Sequence, residues 1–372
     1  MLISKARYNT ACIAPSGCMI DSSYSVKLLN VISKFLKIYG FDIQTSHEIF
    51  QKHDSYYAYS NNEQERFKHI LQALNQDDID IIWCFRGGYG ACTIANMLVN
   101  SNINPKHNKL LIGYSDITVL HLYMNQVLKQ KSIHGPVLSD LLKLFPTKHY
   151  DSFIALENLE ELVAYLSKKE INMCNYDQDI MNNDYVTQIR NQGLALQHDQ
   201  RSNYEWFYSN SLIQFLYSFK KQKYDINIQP LNAIAKKVDN ISANVIGGNL
   251  TILQSVIHTK LHPVTEDKIL ILEDVQIHPY QLHRILQHFI MSNVINIKTQ
   301  AIVFGTFTFT NQEISNERYK DAVVDLINLY PVLKKIPCYV SQDFGHGKIN
   351  KSLIFNHQYN IQKSNNIYTL FT

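Results

Sequence analysis

The chain has 372 residues, of which 45% are hydrophobic and 18% are charged. This length predicts two domains, or one large domain with insertions, and the apolar content is enough for a core in each of two domains. The composition excludes a disordered chain, a collagen-like chain and a highly charged coiled coil. The 35 basic and 32 acidic residues give a net charge of +3 without a basic cluster, so the sequence predicts no nucleic-acid partner.

Cysteine usage and the N-terminus favour a reducing compartment. None of the six cysteines forms a C-x-x-C pair, and a chain of this length does not need disulfides to fold. Cys12 and Cys84 lie in apolar runs, so we predict that they are core residues. Residues 1–17 lack the apolar segment of a signal peptide, and no apolar run approaches the ~18 residues of a membrane span. We therefore expect a cytoplasmic protein with no integral membrane segment, although export by a non-standard route stays open.

The first 150 residues alternate apolar runs with segments of helical periodicity. Strands are predicted at 10–14, 41–45, 79–85 and 110–114. Helices are predicted between them and from 115 to about 127. This β-α-β order predicts a parallel sheet with helices on both faces. The ligand site of such a sheet lies at the carboxyl ends of its strands.

The pattern of the remaining chain changes at about residue 230. The predicted elements after residue 146 are helices at 156–166 and 211–219, a polar loop at 175–203, and strands at 268–272, 301–304 and 338–341 with helices between them. The last twenty residues are predicted to form short strands. We therefore divide the chain into an N-terminal domain (1–150), a linker with an extended insertion (151–230) and a C-terminal domain (231–372).

Ser115 lies where the fourth predicted strand turns into a helix, in the sequence GYSDIT. A serine at such a turn projects its hydroxyl from the sheet edge, and the backbone N–H groups of the helix start can stabilise an oxyanion. The pattern departs from G-x-S-x-G because Ile117 replaces the second glycine. A serine or aspartate before a helix is more often an N-cap, so Ser115 by itself leaves a nucleophile and a cap both open.

A glycine-rich turn, RGGYG, follows the third predicted strand. It lacks the G-x-G-x-x-G spacing and the lysine of a P-loop, so it predicts no dinucleotide or phosphate site. Two interpretations are equally supported. The turn either needs glycines for a positive φ, or it exposes amides of Gly87 and Gly88 as an oxyanion donor that faces Ser115. Arg86 is suited to a substrate carboxylate or to a structural salt bridge, and Tyr89 is a further candidate for substrate contact.

Acidic and histidine candidates come from the second region. Glu273 and Asp274 end an apolar strand, which suits either a solvated rim or an acid that orients a histidine in a Ser-His-acid triad. His346 lies between two glycines in the sequence FGHG, and the ordinary histidine pKa of ~6.5 suits general base catalysis. The chain has no H-E-x-x-H, and His258 and His262 straddle a turn, so we predict no metal and no other cofactor.

Seven segments together resemble the LD-carboxypeptidases, which are serine peptidases of murein recycling, and the related microcin-immunity peptidases. The segments occur in the family's order and cover both organised regions. They are IAPSG (13–17), RGGYGA (86–91), IGYSDIT (112–118), HGP (134–136), GGNL (247–250), LEDV (272–275) and FGHG (344–347).

This resemblance implies roles for individual residues. The implied catalytic residues are Ser115, Glu273 and His346, and the implied oxyanion donors are the amides of Gly87 or Gly88 and of Asp116. The resemblance also implies a flavodoxin- or amidotransferase-like N-terminal domain, a smaller mixed α/β C-terminal domain, an active site in the cleft between them and a homodimer.

The chain departs from the family pattern at two places. Many carboxypeptidase members carry a second Glu three residues after the first, where this chain has Gln276, so the acid is assigned to Glu273. The segment from about 150 to 230 has no counterpart in the family pattern, which leaves the substrate preference open.

The predicted function is release of a C-terminal D-Ala from murein tetrapeptides through an acyl-enzyme, in cell-wall recycling. Two other hydrolase functions stay open: an LD-endopeptidase, and a microcin-type peptidyl-nucleotide hydrolase for which Trp206 offers an aromatic platform. A third alternative is a small-molecule binding protein without activity, because a fold does not fix a function.

Overall fold

The structure is a computed structural model. It describes residues 5–17, 22–45, 47–51, 59–101, 103–144, 160, 163–164, 211–309, 316–347, 349–364 and 367–372. The predicted loop at 175–203 and most of the predicted helix at 156–166 lie outside these residues.

The described strands form two sheets. Their bounds are β1 (Tyr8–Ile13), β2 (Phe41–Gln44), β3 (Ile81–Cys84), β4 (Leu110–Gly113), β5 (Ser132–His134), β6 (Asp225–Pro230), β7 (Asn240–Asn249), β8 (Lys268–Val275), β9 (Ala301–Thr308), β10 (Cys338–Gly345), β11 (Leu353–Phe355), β12 (Gln358–Ser364) and β13 (Ile367–Phe371). The described α-helices are α1 (Ser22–Ile38), α2 (Glu63–Asn75), α3 (Ala91–Asn100), α4 (Thr118–Leu122), α5 (Ser211–Lys221), α6 (Ala233–Lys237), α7 (Leu250–Ser255), α8 (Pro279–Met291), α9 (Asn316–Leu329) and α10 (Pro331–Lys335). Short 3-10 helices cover His47–Phe50, Ser115–Ile117 and Leu138–Leu144, and a π-helical turn covers Tyr123–Val127.

The first sheet is six-stranded, in the order β11-β5-β4-β3-β1-β2. Strands β1 to β5 pair in parallel, as the β-α-β order predicts. Strand β11 comes from the far end of the chain and pairs antiparallel with β5. The C-terminal part of the sequence therefore completes the edge of the N-terminal sheet, which the sequence analysis did not predict.

The second sheet closes into a barrel in the order β10-β6-β13-β12-β7-β8-β9. Strands β7 to β10 run parallel to one another, and the remaining pairings are antiparallel. The mixed α/β class with a parallel N-terminal sheet is thus confirmed. Strands β6 and β7 were not predicted, and neither was the closure of the barrel.

Two apolar clusters run through both sheets. One joins the α1 side of the N-terminal sheet to residues of the barrel strands, and the other joins α2, α3 and α4 to the α8 and α9 layer. Aromatic residues of α5 pack on the N-terminal sheet, with Phe215 5.0 Å from Trp83 and Phe219 5.4 Å from Phe41 between ring centroids. Burying each such ring contributes roughly 1.5–3 kcal/mol. Cys12 and Cys84 are buried, as predicted.

The carboxyl ends of the two parallel sets of strands meet. Asn249, at the end of β7, donates its backbone N–H to the Thr118 hydroxyl at 2.9 Å. A Cβ added to Gly248 would lie 2.5 Å from that same hydroxyl oxygen, so only glycine permits this approach. The contact brings the ends of β4 and β5 against the ends of β7, β8 and β10, which is where the candidate residues lie.

Candidate active site

Ser115 sits on a strained turn at the end of β4. The strand is buried throughout, and Ser115 itself is half-buried. Its φ of 65° is in the left-handed region, which costs a non-glycine residue about 1–2 kcal/mol. Tyr114 occupies the N-cap position of the following 3-10 helix and makes no side-chain capping bond. The turn therefore has the strand–helix geometry of a nucleophile elbow rather than that of an ordinary cap.

The RGGYG turn lies directly against this elbow. A Cβ added to Gly87 would lie 3.0 Å from the Ser115 Cβ and 3.4 Å from its Oγ, so a side chain at this position would crowd the serine. The Gly87 carbonyl accepts a hydrogen bond from the Gly17 N–H at 3.2 Å. Because the carbonyl and the N–H of one trans peptide point in opposite directions, the Gly88 N–H points away from Gly17.

The Asp116 side chain ties three loops together. Its Oδ2 accepts a hydrogen bond from the Ser16 hydroxyl at 2.7 Å and another from the Ala91 N–H at 2.9 Å. Helix α3 has Gly90 at its N-cap and no side-chain cap of its own, so Asp116 caps it from the neighbouring turn. Burial raises the Asp116 pKa, although these hydrogen bonds and Arg66 oppose that shift.

The buried Arg66 side chain also holds these loops together through hydrogen bonds. This residue is only 1% exposed. Its guanidinium donates to the carbonyls of Pro15, Gly90 and Asn61 at 2.6, 3.2 and 3.1 Å. The two turns that flank Ser115 are therefore positioned by a buried polar network that the sequence analysis did not identify.

Glu273 and His346 form a buried pair in the barrel. The His346 Nδ1 lies 2.5 Å from the Glu273 Oε2. The Glu273 side chain is fully buried, whereas the His346 side chain is 13% exposed. Burial alone would raise the Glu273 pKa, but His346 and then His134 outweigh it and lower the pKa to about 2. Glu273 is therefore a carboxylate at neutral pH, and it favours a proton on His346 Nδ1.

Asp274, the neighbouring acid, makes hydrogen bonds to a helix start and not to a histidine. Asp274 accepts hydrogen bonds from the Asn249 amide at 2.7 Å and from the Thr251 N–H and hydroxyl at 3.0 and 2.6 Å. These bonds hold the start of α7 against β8. Strand β8 also extends to Val275, so both acids lie within the strand rather than beyond its predicted end. Of the two sequence candidates, the structure joins Glu273 to a histidine and gives Asp274 a structural role.

Gly345 allows His346 to reach Glu273. Its φ is 105°, a conformation that favours glycine. A Cβ there would lie 2.9 Å from both the Glu273 Cβ and the Thr306 carbonyl oxygen. Strand β10 continues to Gly345, four residues beyond its predicted end, and this extension carries His346 to the rim of the barrel.

The elbow and the barrel pair meet through an aromatic contact. The Tyr114 ring, one residue before Ser115, lies 5.0 Å from the His346 ring between centroids. Tyr114 also lies 6.0 Å from the His134 ring. The turn that carries Ser115 and the Glu273–His346 pair therefore meet at one junction of the two sheets.

The predicted substrate contacts lie at the exposed side of the elbow. Arg86 is exposed, and Tyr89 is 57% exposed. The Tyr89 ring stacks on Tyr59 with centroids 6.1 Å apart. Trp206 lies outside the described residues. Roles for Arg86 and Tyr89 in binding stay predictions.

His134 is the residue that the sequence analysis passed over. It appeared there within the HGP segment without a role, yet its Nε2 lies 3.6 Å from the Glu273 Oε1. The register pairs His134 with Gly113 on the adjacent strand, two residues before Ser115. Its position at the carboxyl end of a strand next to β4 was the available indication, because such ends converge on one edge.

Within the described part of the chain, no helix combines the length and the apolar character needed to cross a membrane. Among the same residues, no group of three or more His, Cys, Asp or Glu side chains is arranged to hold a metal ion.

Comparison with known proteins gives matches over both halves. Residues 11–135 match the LD-carboxypeptidase N-terminal domain, and residues 242–361 match the LD-carboxypeptidase C-terminal domain. A Rickettsia conorii protein that is provisionally named a carboxypeptidase is 29% identical over 333 residues, covering 90% of this chain and 84% of its own length. The murein tetrapeptide carboxypeptidase of Pseudomonas aeruginosa is 22% identical over 345 residues, covering 92% of this chain and 89% of its own length.

Solved structures share the fold of this chain. The muramoyltetrapeptide carboxypeptidase from Oxalobacter formigenes superposes with a TM-score of 0.61 at 19% identity, over 98% of each chain. An MccF-like protein from Streptococcus pneumoniae, solved in complex with AMP, superposes with a TM-score of 0.65 at 15% identity, over 98% of this chain and 99% of its own. At these identities the superpositions establish the fold alone.

Proposed function

We propose that this chain, which belongs to the LD-carboxypeptidase family, is a serine peptidase that releases a C-terminal D-Ala from murein tetrapeptides. The observation that carries the proposal is the junction itself. A serine with a φ of 65° lies one residue from the tyrosine that packs on His346, and His346 is bonded to a buried carboxylate. These contacts support a Ser-His-acid triad for acyl transfer, in which the histidine that is bonded to the acid takes the proton of the serine.

The proposed reaction has two steps. His346 Nε2 takes the proton of the Ser115 hydroxyl while Oγ attacks the carbonyl carbon of the scissile amide. Collapse of the tetrahedral intermediate breaks the C–N bond, and His346 returns the proton to the departing D-Ala amine. Water then attacks the acyl-enzyme with His346 again as the base, which releases the shortened peptide and restores Ser115. Glu273 holds the imidazole tautomer and stabilises the imidazolium throughout.

The oxyanion is proposed to bind backbone amides on both sides of the elbow. The candidates are the N–H of Asp116, at the start of the 3-10 helix, and an amide of the RGGYG turn. Of the two glycines in that turn, Gly88 is favoured because its N–H points away from Gly17, the residue that binds the preceding carbonyl. Each such donor typically contributes about 3–4 kcal/mol to lowering the barrier.

The test is release of D-Ala from purified tetrapeptide stems, followed by mass spectrometry. Wild-type protein should remove one residue from the tetrapeptide, and Ser115→Ala should remove none while unfolding at the wild-type temperature. A folded Ser115→Ala protein that still releases D-Ala would disprove the proposed nucleophile. A reactive Ser115 should also be labelled by a serine-directed acylating probe, whereas a binding protein without activity should not react.

A second candidate is hydrolysis of a peptidyl-nucleotide, as the microcin-type relatives suggest. The observation that favours it is the exposed Tyr89 ring, which is stacked on Tyr59 beside the elbow and offers a face to a nucleobase. Incubation with an aminoacyl sulfamoyl nucleoside and with the murein tetrapeptide, followed by Tyr89→Ala, separates the two. The nucleotide function requires faster turnover of the nucleoside substrate and a selective loss of it in the variant.

The cellular setting is part of the proposal. The described cysteines Cys12, Cys84, Cys92 and Cys338 are free thiols, which is consistent with a reducing compartment. We propose that the protein acts in cytoplasmic murein recycling as a homodimer. Light scattering of the purified protein tests the dimer, and fractionation of cells tests the compartment.

A further inference from the structure

We propose that His134 is a positioning residue for the Glu273–His346 pair, and that it acts by donating from its Nε2 to the carboxylate oxygen that His346 does not bind. The catalytic consequence rests on the proposed function, whereas the hydrogen-bonding claim does not.

The proposal starts from two buried groups that face each other without partners. The Glu273 Oε2 is taken by His346, and its Oε1 lies 3.6 Å from the His134 Nε2. Both side chains are fully buried. Among the described residues, neither Oε1 of Glu273 nor either ring nitrogen of His134 has a partner at hydrogen-bond distance.

Burial makes the missing hydrogen bond between the Glu273 Oε1 and the His134 Nε2 energetically costly. A carboxylate removed from water needs donors at both oxygens. The separation exceeds an ordinary hydrogen bond by roughly half an ångström, so a small rotation of either side chain would close it. No covalent change and no movement of the backbone is needed.

The surroundings of His134 leave Glu273 as its partner. Phe344 and Phe355 cover the ring, with centroids 6.4 and 5.7 Å away, and have no polar atoms to offer. The polar neighbours are Tyr114, whose hydroxyl lies 3.5 Å from an Asp140 oxygen, and His121, whose ring centroid is 6.4 Å away.

His121 is uncharged and is hydrogen-bonded to a backbone carbonyl and not to His134. Its Nε2 lies 2.9 Å from the Gly113 carbonyl oxygen, to which it therefore donates. Burial, and then the nearby His134, lower the His121 pKa to about 3. We therefore assign the Glu273 carboxylate, whose Oε1 lies 3.6 Å away, as the acceptor for the His134 Nε2.

The fold places His134 where it cannot be the base. Its side chain is fully buried, and strand β11 pairs with it through Leu353. Since the His346 side chain is 13% exposed and the His134 side chain is fully buried, His134 acts only through Glu273. The unpredicted β11 pairing places a further strand beside His134 at this edge of the sheet.

The first experiment is NMR on the full-length protein with ¹⁵N-labelled histidine. The ring-nitrogen shifts report which nitrogen carries a proton, and the proposal requires a proton on the His134 Nε2. The low-field proton signal of the His346 Nδ1–H, assigned by its loss in His346→Ala, reports the bond to Glu273. A His134 ring with an unprotonated Nε2 overturns the proposal without any variant at that position.

The second experiment compares two replacements. His134→Phe keeps an aromatic ring and removes the donor, and His134→Gln keeps an N–H donor of similar reach. We expect His134→Phe to lose the His346 low-field signal and to lower kcat about tenfold or more, with KM within about twofold of wild type. His134→Gln should restore the signal and most of kcat. His357→Phe, the same exchange on the turn beyond β11, is the matched control and should change neither.

The outcomes separate this proposal from the proposed function. Retention of the low-field signal and of kcat in His134→Phe overturns the positioning role, as does a His134→Gln protein as impaired as His134→Phe at a normal unfolding temperature. If wild-type protein releases no D-Ala, the proposed function fails, and the NMR signals still decide what His134 does.

Discussion

The N-terminal sheet and the barrel contribute different kinds of chemistry to the site where their strand ends meet. The N-terminal sheet supplies backbone geometry: a serine at a φ of 65° and a glycine whose backbone approaches it, both in short segments at strand ends. The barrel supplies a side-chain pair from residues 73 positions apart, joined through a buried carboxylate. The Ser115 elbow depends on local backbone conformation. The Glu273–His346 pair depends on a buried charge interaction that only long-range packing creates.

This difference predicts different responses to mutation. Changes at the elbow should alter catalysis and strain with little dependence on pH. Changes at the barrel pair should couple activity to pH-dependent stability, because a buried charge is stabilised by its partners alone.

The largest effect is expected at the elbow. Ser115→Ala should lower kcat by at least ~10⁴-fold, because the nucleophile is lost, while the strained backbone stays. Ser115→Gly should be equally inactive but more stable by roughly 1–2 kcal/mol, because glycine adopts a positive φ without strain. Turnover of the tetrapeptide and urea unfolding measure the two quantities. Equal stability of the two variants would contradict a strained elbow.

The next effect separates the two adjacent acids. Glu273→Gln should lower kcat by ~10³–10⁴-fold, because the imidazole loses its orienting anion. Asp274→Asn has the same change of charge but should lower kcat less than about tenfold and mainly cost ~1–3 kcal/mol of stability, because it holds α7 rather than His346. Steady-state kinetics on both proteins checks this. Equal loss of kcat in the two would refute the assignment of the acid.

Ionised Glu273 should also make the free energy of unfolding depend on pH. Its folded-state pKa of about 2 lies below the ordinary value of 4.5. Its contribution to stability is therefore fully present above about pH 5 and is lost as the pH falls towards 2. The free energy of unfolding should fall more steeply across this window for wild type than for Glu273→Gln, as measured by urea titrations. Parallel curves would show that the carboxylate pKa is not depressed.

A smaller, mainly structural effect is expected at the glycines around His346. Gly345→Ala should cost roughly 2 kcal/mol or more and displace His346, because the backbone is left-handed and a methyl would meet backbone atoms of Thr306. Gly347→Ala is the control, since its methyl would meet only the Thr306 side chain, at 3.0 Å. Thermal unfolding and kcat of the pair test this contrast. A Gly347→Ala protein that is the more damaged of the two would count against it.

The smallest effect is expected in the network beneath the elbow. Ser16→Ala removes one of the two bonds to the Asp116 Oδ2 and should cost about 1 kcal/mol. A modest loss of kcat should accompany it, because the RGGYG turn and the elbow are held by the same carboxylate. Ser33→Ala, which removes a hydroxyl bonded within α1, is a control for loss of a hydroxyl away from the site and should leave kcat unchanged.

The sequence determined much of this protein through local patterns. The alternation of apolar strands and amphipathic helices predicted a parallel N-terminal sheet, because hydrophobic periodicity is a property of neighbouring residues. Short motifs made Ser115, Glu273 and His346 candidates, since serine at a strand–helix turn and histidine between glycines are local arrangements with a chemical reason, and the family resemblance implied their catalytic roles.

What the sequence could not determine depends on contacts between distant residues. The closed barrel and the β11 pairing join strands whose partners lie far along the chain, and no local pattern encodes that pairing. Burial and the choice of hydrogen-bond partners set the roles of Asp116, Arg66 and His134. Both are properties of the packed molecule. Likewise, only the tertiary structure shows that Glu273 bonds to His346 whereas Asp274 bonds to Thr251.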